Sequence, residues 1–300
     1  MPVIIPASLP AAATLAAEHI AIISPENARR QELRPLQIAI LNLMPTKEAT
    51  ETQFLRLIGS TPIQVEPLFL TTRSYTAKNT PVSHLETFYS HFDEVRERHF
   101  DALIITGAPV EQLSFEEVLY WRELRDILDW AAARVFASLF VCWGAQAALY
   151  HYYGVPKLPL EKKMFGVFPH TVSDPNHPLL AGFDDTYYAP HSRHTTVLAE
   201  HVAAHPDLQV LGESPSAGLF MAASRDHRRV FITGHIEYDR HTLADEYRRD
   251  LAKGLPIDPP VNYFPGDNPT LPPRQQWKAH SYLLYQNWID FICRHVSLTA

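Results

Sequence analysis

Residues 138–154 read SLFVCWGAQAALYHYYG. A short apolar run, Ser138 to Val141, ends on Cys142, and an alanine-rich run at helical spacing follows it as far as Gly154. A buried strand that turns at once into a helix is the basic junction of an α/β sheet, and ligands of such sheets bind beyond the carboxyl ends of the strands. Cys142 stands at that place. It is either a small buried thiol that happens to sit there, or a nucleophile held on a sharp turn.

The surrounding pattern supports the same architecture. LQIAILNLM from Leu36, IQVEPLFL from Ile63, DALIITGA from Asp101 and RVFASLFV from Arg134 read as continuous apolar strands. Between them, KEATETQFLRLIG predicts a helix ending on Gly59, and SFEEVLYWRELRDILDWAA predicts one capped by Ser114 with Glu117 three residues on. Strands without polar alternation, separated by helices, indicate a mainly parallel sheet covered on both faces. Beyond Met164 the apolar runs come closer together (MFGVFPHTV, LQVLGES, AGLFMAAS, RRVFITGH), which predicts an added antiparallel part. A helix over 243–254, a proline-rich loop from Leu255 to Arg274 and a last amphipathic helix over 277–296 complete the pattern.

Composition sets the limits. The chain of 300 residues is 46% hydrophobic and carries 15 Phe, 13 Tyr and 5 Trp, enough for a large core, so disorder is excluded. A net charge of −7 without a long basic run argues against nucleic acid and anionic membrane as partners. Nor is there an uninterrupted apolar stretch of about 18 residues that would predict a membrane span. Two cysteines, Cys142 and Cys293, are too few for a disulfide framework and suit a reducing, cytoplasmic setting. The apolar start lacks an early Lys or Arg and contains Pro6 and Pro10. It predicts an N-terminal arm, residues 1–34, packed on a single catalytic α/β domain, residues 35–300.

The chemistry gathers around Cys142. A thiolate there would face the positive end of the following helix, which favours the charged form. The small residues Gly144, Ala145, Ala147 and Ala148 let the turn be tight and the helix approach the sheet. As at a nucleophile elbow, the backbone N–H of Trp143 would serve an oxyanion hole, with a second donor from the Gly107–Ala108 turn that ends the neighbouring strand. Among 16 histidines, VFITGHIEYD singles out His235, because Glu237 two residues on would share its side of an extended segment and orient the ring. Cys293 lies within a terminal helix and reads as inert. His191 and His194 have an H-x-x-H spacing but no further ligand pair, so no metal site is expected. Neither a G-x-G-x-x-G fingerprint nor a Walker loop occurs, so no nucleotide cofactor is expected. Lys162, Lys163, Arg248 and Arg249 read as solvated charges.

Taken in order, LNLMPTKEATETQFLRLIG, ITGAPVE, FVCWGAQAAL, KKMFGVF, PHSRHT, TGHIEYD and NYFPGDNP resemble the blocks of the homoserine O-acyltransferase family of methionine biosynthesis. The resemblance covers nearly the whole chain. It implies a flavodoxin-like three-layer α/β sandwich of the class I glutamine amidotransferase type. It also implies a ping-pong transfer from acyl-CoA, a co-substrate rather than a bound cofactor, to the hydroxyl of L-homoserine. Cys142 would carry the acyl group, His235 would be the base and Glu237 its orienter. Substrate contacts fall on Lys163, Ser192 and Arg249, and a homodimer is the family expectation. Glu111 stands where the acetyl-transferring members carry glutamate and the succinyl-transferring members glycine, so acetyl-CoA is the expected donor and succinyl-CoA the alternative. Phe140 departs from the glycine usual two residues before the cysteine of amidotransferases, which counts against a glutaminase. A non-catalytic module on the same fold would not need the Cys, His and Glu set.

Overall fold

The structure is a computed structural model and describes residues 3–28, 34–75 and 79–298. Its framework is one mixed sheet. The strands are β1 (Val3–Ile4), β2 (Ile22–Ile23), β3 (Leu36–Leu41), β4 (Val65–Thr71), β5 (Tyr89–His91), β6 (Phe100–Ile105), β7 (Val135–Val141), β8 (Leu158–Val172), β9 (Thr186–Thr196), β10 (Leu208–Ser214), β11 (Gly218–Ser224) and β12 (Arg229–Ile232). They lie in the order β2-β1-β4-β3-β6-β7-β12-β11-β10-β8-β9, with β5 paired to β4. From β2 to β12 every pairing on this path is parallel; from β11 onward every pairing is antiparallel. The change falls beside β7, the strand that leads to Cys142.

Both faces of the parallel part are buried, which is why its strands read as unbroken apolar runs. Ile38, Ile40, Leu139 and Val141 pack into one core with Phe54, Ile58, Leu284 and Trp288. Ala39, Leu41 and Phe140 face the opposite core with Leu124, Ile127 and Leu149. Helices Lys47–Ile58 and Lys278–Cys293 thus cover one face, and helices Trp121–Arg134 and Trp143–Tyr153 the other. Three layers result, as expected. At the N-terminal end, Val3 pairs with both Ile22 and Val65, so this segment widens the sheet at its parallel edge.

Two local expectations need correction. Ser114 and Glu117 do form a reciprocal cap, but it closes a single turn, Phe115–Glu117, and the helix starts only at Trp121. The break lets Phe115 stack on Trp121 and Tyr150, with centroids 5.2 and 4.6 Å apart. Strand β12 ends at Ile232, so His235 and Glu237 lie beyond it in a turn, where the Tyr238 N–H donates to the His235 carbonyl at 3.2 Å.

Candidate active site

Cys142 joins β7 to the Trp143–Tyr153 helix with φ 50° and ψ −117°. Such a backbone is strained for a residue with a Cβ, and strain of this kind persists only where neighbours fix it. Its amide donates to the Ile232 carbonyl at 2.6 Å, and its own carbonyl accepts from Ala145 and Gln146 at 3.0 and 3.1 Å. Gly144 is obligatory: a Cβ there would stand 2.7 Å from the Thr106 carbonyl and 2.9 Å from that of Ile105. The helix therefore lies directly on the end of β6, as the run of small residues predicted. It stops at Gly154, whose φ of 66° closes the last turn.

The second half of the site arrives from β12. His235 Nδ1 lies 2.7 Å from Glu237 Oε1, both side chains are buried, and the Tyr238 ring stacks on the imidazole at 4.1 Å. The His235 amide donates to the Pro190 carbonyl at 2.8 Å, which ties the turn to β9. Burial alone would depress the imidazole pKa, but the charges and hydrogen bonds of Cys142 and Glu237 hold it well above its ordinary value. Gly107 lies against this pair. A Cβ on it would come within 3.2 Å of Cys142 Cβ and 3.4 Å of His235 Cε1. The Gly107–Ala108 turn thus borders the sulfur as expected. Trp143 opens its helix, so its N–H is among the amides without an intrahelical acceptor.

A cavity of about 1690 Å³ opens from Cys142 and His235 and is also lined by Ala108, Glu111, Lys163, Ser192 and Arg249. All the residues singled out for substrate and acyl group therefore line one space with Cys142. Lys163, read from sequence as a solvated charge, is drawn in: its Nζ lies 2.6 Å from Glu246 Oε1 and 3.5 Å from Asp250 Oδ2. Ser192 Oγ donates to the same Glu246 oxygen at 2.7 Å, and Arg249 Nε to Asp250 Oδ1 at 2.8 Å. Their neighbours Lys162 and Arg248 remain exposed. Glu111 Oε1 accepts the His194 N–H at 2.9 Å, and its own carbonyl accepts from Lys157.

Sequence reasoning missed Glu246, Asp250 and Arg193. The first two share one face of the Thr242–Ala252 helix with Arg249, at spacings of three and four residues that could have been noticed. Arg193 is fully buried and spends its donors on His191 Nδ1 at 3.2 Å, the Thr195 carbonyl at 2.7 Å and the Ala217 carbonyl. Burial lowers its pKa to about 10, while the charges of Cys142 and Glu111 pull the other way. A polar, histidine-rich run gave no sign of such a buried cation.

The remaining histidines and the second cysteine separate cleanly. His191 turns into the core, with Nε2 3.0 Å from His170 Nε2, whereas His194 lines the cavity. Strand alternation puts the two on opposite faces, so they do not converge on one ligand. Among the described residues, no group of three His, Cys, Asp or Glu is placed to hold a metal ion. Cys293 sits on the last helix, where burial pushes its thiol up to about 11.

With this geometry in view, comparison with known proteins is direct. A family model described as homoserine O-succinyltransferase (HTS) matches residues 2–297. The chain belongs to this family. Within it, the chain is 55% identical to the homoserine O-acetyltransferase of Acetivibrio thermocellus, covering 97% of this chain and 95% of the relative. It is 53% identical to the enzyme of the same name from Geobacillus kaustophilus, covering 97% and 96%. The one from Bacteroides thetaiotaomicron is 51% identical over 97% and 95%. Among solved structures, a glutamine amidotransferase of Thermotoga maritima superposes with a TM-score of 0.57 at 11% identity, covering 86% of this chain and 98% of that one. The glutaminase domain of Trypanosoma brucei CTPS gives 0.54 at 10% identity, covering 88% and 96%. At such identities the likeness bears on the fold alone, and the fold of this family member is of the class I glutamine amidotransferase type.

Proposed function

We propose that the protein is a homoserine O-acetyltransferase that moves an acetyl group from acetyl-CoA to the hydroxyl of L-homoserine through a thioester on Cys142. The single observation that carries the reading is the seating of Cys142, His235 and Glu237 at the head of one cavity with Lys163, Ser192, Arg249 and Glu111. The names of relatives sharing about half of all positions over nearly the full length support the acetyl form of the reaction.

In the first half-reaction His235 takes the thiol proton, and the Cys142 sulfur attacks the thioester carbonyl. The resulting oxyanion is received by the N–H groups of Trp143 and Ala108. Collapse expels the CoA thiolate, which takes the proton back from His235. In the second half-reaction His235 takes the homoserine hydroxyl proton, the alkoxide attacks the acyl-cysteine, and Cys142 leaves as thiolate. Glu237 holds the ring and favours its charged form in both halves. Arg249 grips the homoserine carboxylate through its remaining N–H groups. Glu246, between Lys163 and Ser192, is an acceptor for the substrate ammonium. A homodimer completes the reading; sedimentation at the mass of one chain would remove it.

The test is to incubate the enzyme with homoserine and either acetyl-CoA or succinyl-CoA, and separately with glutamine, following free thiol, ester product and ammonia. O-acetylhomoserine with stoichiometric CoA is the expected product. Succinyl ester as the main product would change the donor, and ammonia from glutamine would replace the reading altogether.

A further inference from the structure

Homoserine and a two-carbon acyl group are small beside the cavity that opens from Cys142 and His235. At about 1690 Å³ it exceeds the roughly 300–1,000 Å³ typical of small-ligand pockets. Its outer lobe runs past Tyr238 to the start of the Lys278–Cys293 helix. Two contacts clamp that helix onto the catalytic turn: Trp277 Nε1 donates to the Tyr238 carbonyl at 2.8 Å, and Ser281 Oγ to the Ile236 carbonyl at 2.5 Å. The Tyr263 hydroxyl donates to the Arg240 carbonyl, and its ring stacks on Trp277. Arg240 and Lys278 are thereby set on one mouth of the cavity, both exposed.

The charges at this mouth are unequally matched. Its carboxylates Glu18 and Asp239 share the guanidinium of Arg56, and Asp245 pairs with Arg248 at 3.3 Å. Arg240 and Lys278 have no carboxylate partner among the described residues, in a chain whose net charge is −7. The Thr242–Ala252 helix also opens here, without a side-chain cap, and adds the positive end of its dipole. Two other cations on the lining have no carboxylate partner among the described residues: Lys47 is buried and donates to the Asn42 carbonyl, and Lys253 stands at the far end of that helix, about 16 Å away at 1.5 Å per residue.

We propose that Arg240 and Lys278 form the subsite for the phosphates of the acyl donor, so that its nucleotide end rests on this mouth while the pantetheine arm runs inward to Cys142. The assignment rests on the acetyl-CoA reading above. Its recognition chemistry is that of cations for a multiply charged phosphate tail, which neither homoserine nor an acetyl group provides.

Calorimetric titration with CoA itself tests it. The Arg240→Glu/Lys278→Glu double variant changes only exposed side chains. Its Kd for CoA is expected to weaken at least about tenfold, since like charges would then face the phosphates. Added salt should weaken wild-type binding in the same direction. Turnover of homoserine with S-acetylpantetheine, which lacks the nucleotide, should be unchanged. An unchanged CoA Kd in the double variant would overturn the subsite, as would a loss confined to Lys253→Glu or one seen equally with S-acetylpantetheine. Failure of the acetyl-transfer reading would look different: wild type would not acetylate homoserine from S-acetylpantetheine, whatever the CoA titration gave.

Discussion

Glu111 Oε1 accepts the backbone N–H of His194 at 2.9 Å, and the Thr195 hydroxyl reaches Glu111 Oε2 at 3.3 Å. The carboxylate is therefore fixed on the cavity wall rather than swinging in solvent. In the proposed reaction it would stand against a second negative charge on the donor. A succinyl group carries a carboxylate at its far end, and like charges about 4 Å apart repel by roughly 4 kcal/mol at an effective dielectric near 20. Acetyl loses nothing. Wild type should favour acetyl-CoA over succinyl-CoA by a hundredfold or more in kcat/KM, and Glu111→Gly should move the ratio toward succinyl. Equal use of both donors by wild type would remove Glu111 from the account.

His235 and Glu237 have separable tasks. His235→Ala removes the proposed proton acceptor and should lower kcat by about 10²–10⁴-fold. Glu237→Gln keeps the shape but loses the charge that raises the imidazole pKa, so its loss should be smaller yet clear. Rates near wild type in His235→Ala would direct the search for the base to His194, the histidine of PHSRHT that lines the cavity.

Arg249 and Arg248 stand side by side on one helix, with opposite expectations. Arg249→Ala should raise the homoserine KM at least as much as it lowers kcat, because the proposed grip would be made in the ground state. Among the described residues Arg248 pairs only with exposed Asp245, so Arg248→Ala should leave both constants near wild type. Similar behaviour of the two variants would mean that Arg249 is merely solvated.

Gly144 tests the packing that holds Cys142. Gly144→Ala places a methyl 2.7 Å from the Thr106 carbonyl, and backbone cannot yield as a side-chain end does. The helix must lift off the sheet, at a cost of about 1–3 kcal/mol. Urea unfolding should show that loss together with reduced thiol reactivity at Cys142. An unchanged midpoint would mean that the helix has room to spare.

How much of this was legible in the sequence depends on what signal each part leaves. The parallel strands and the Cys142 elbow were legible because burial on both faces demands continuous apolar runs and the turn demands small residues. Strand β9 was not, since TYYAPHSRHTT has no continuous apolar run and ends in a polar, histidine-rich stretch. It can be buried only because its polar groups satisfy one another, His191 with His170 and Arg193 with two carbonyls, and that matching is invisible before folding. The same holds for Lys163: in isolation it is a solvated charge, and only the approach of the Glu246 helix draws it to the cavity. The resemblance to the family supplied Lys163 and Ser192 where pattern could not, and left Arg193 and Glu246 unseen. The contact of His235 with Glu237 was foreseen for a strand and is made by a turn. Adjacent side chains two residues apart can meet in either.

The central claim is that Cys142 carries the acyl group before homoserine is needed. Incubating the enzyme with acetyl-CoA alone and digesting it at low pH should give a Cys142 peptide heavier by one acetyl group. Homoserine should then discharge it, and Cys142→Ala should show neither adduct nor turnover while Cys293→Ala keeps both. An adduct on another residue, or none until homoserine is added, would contradict the account.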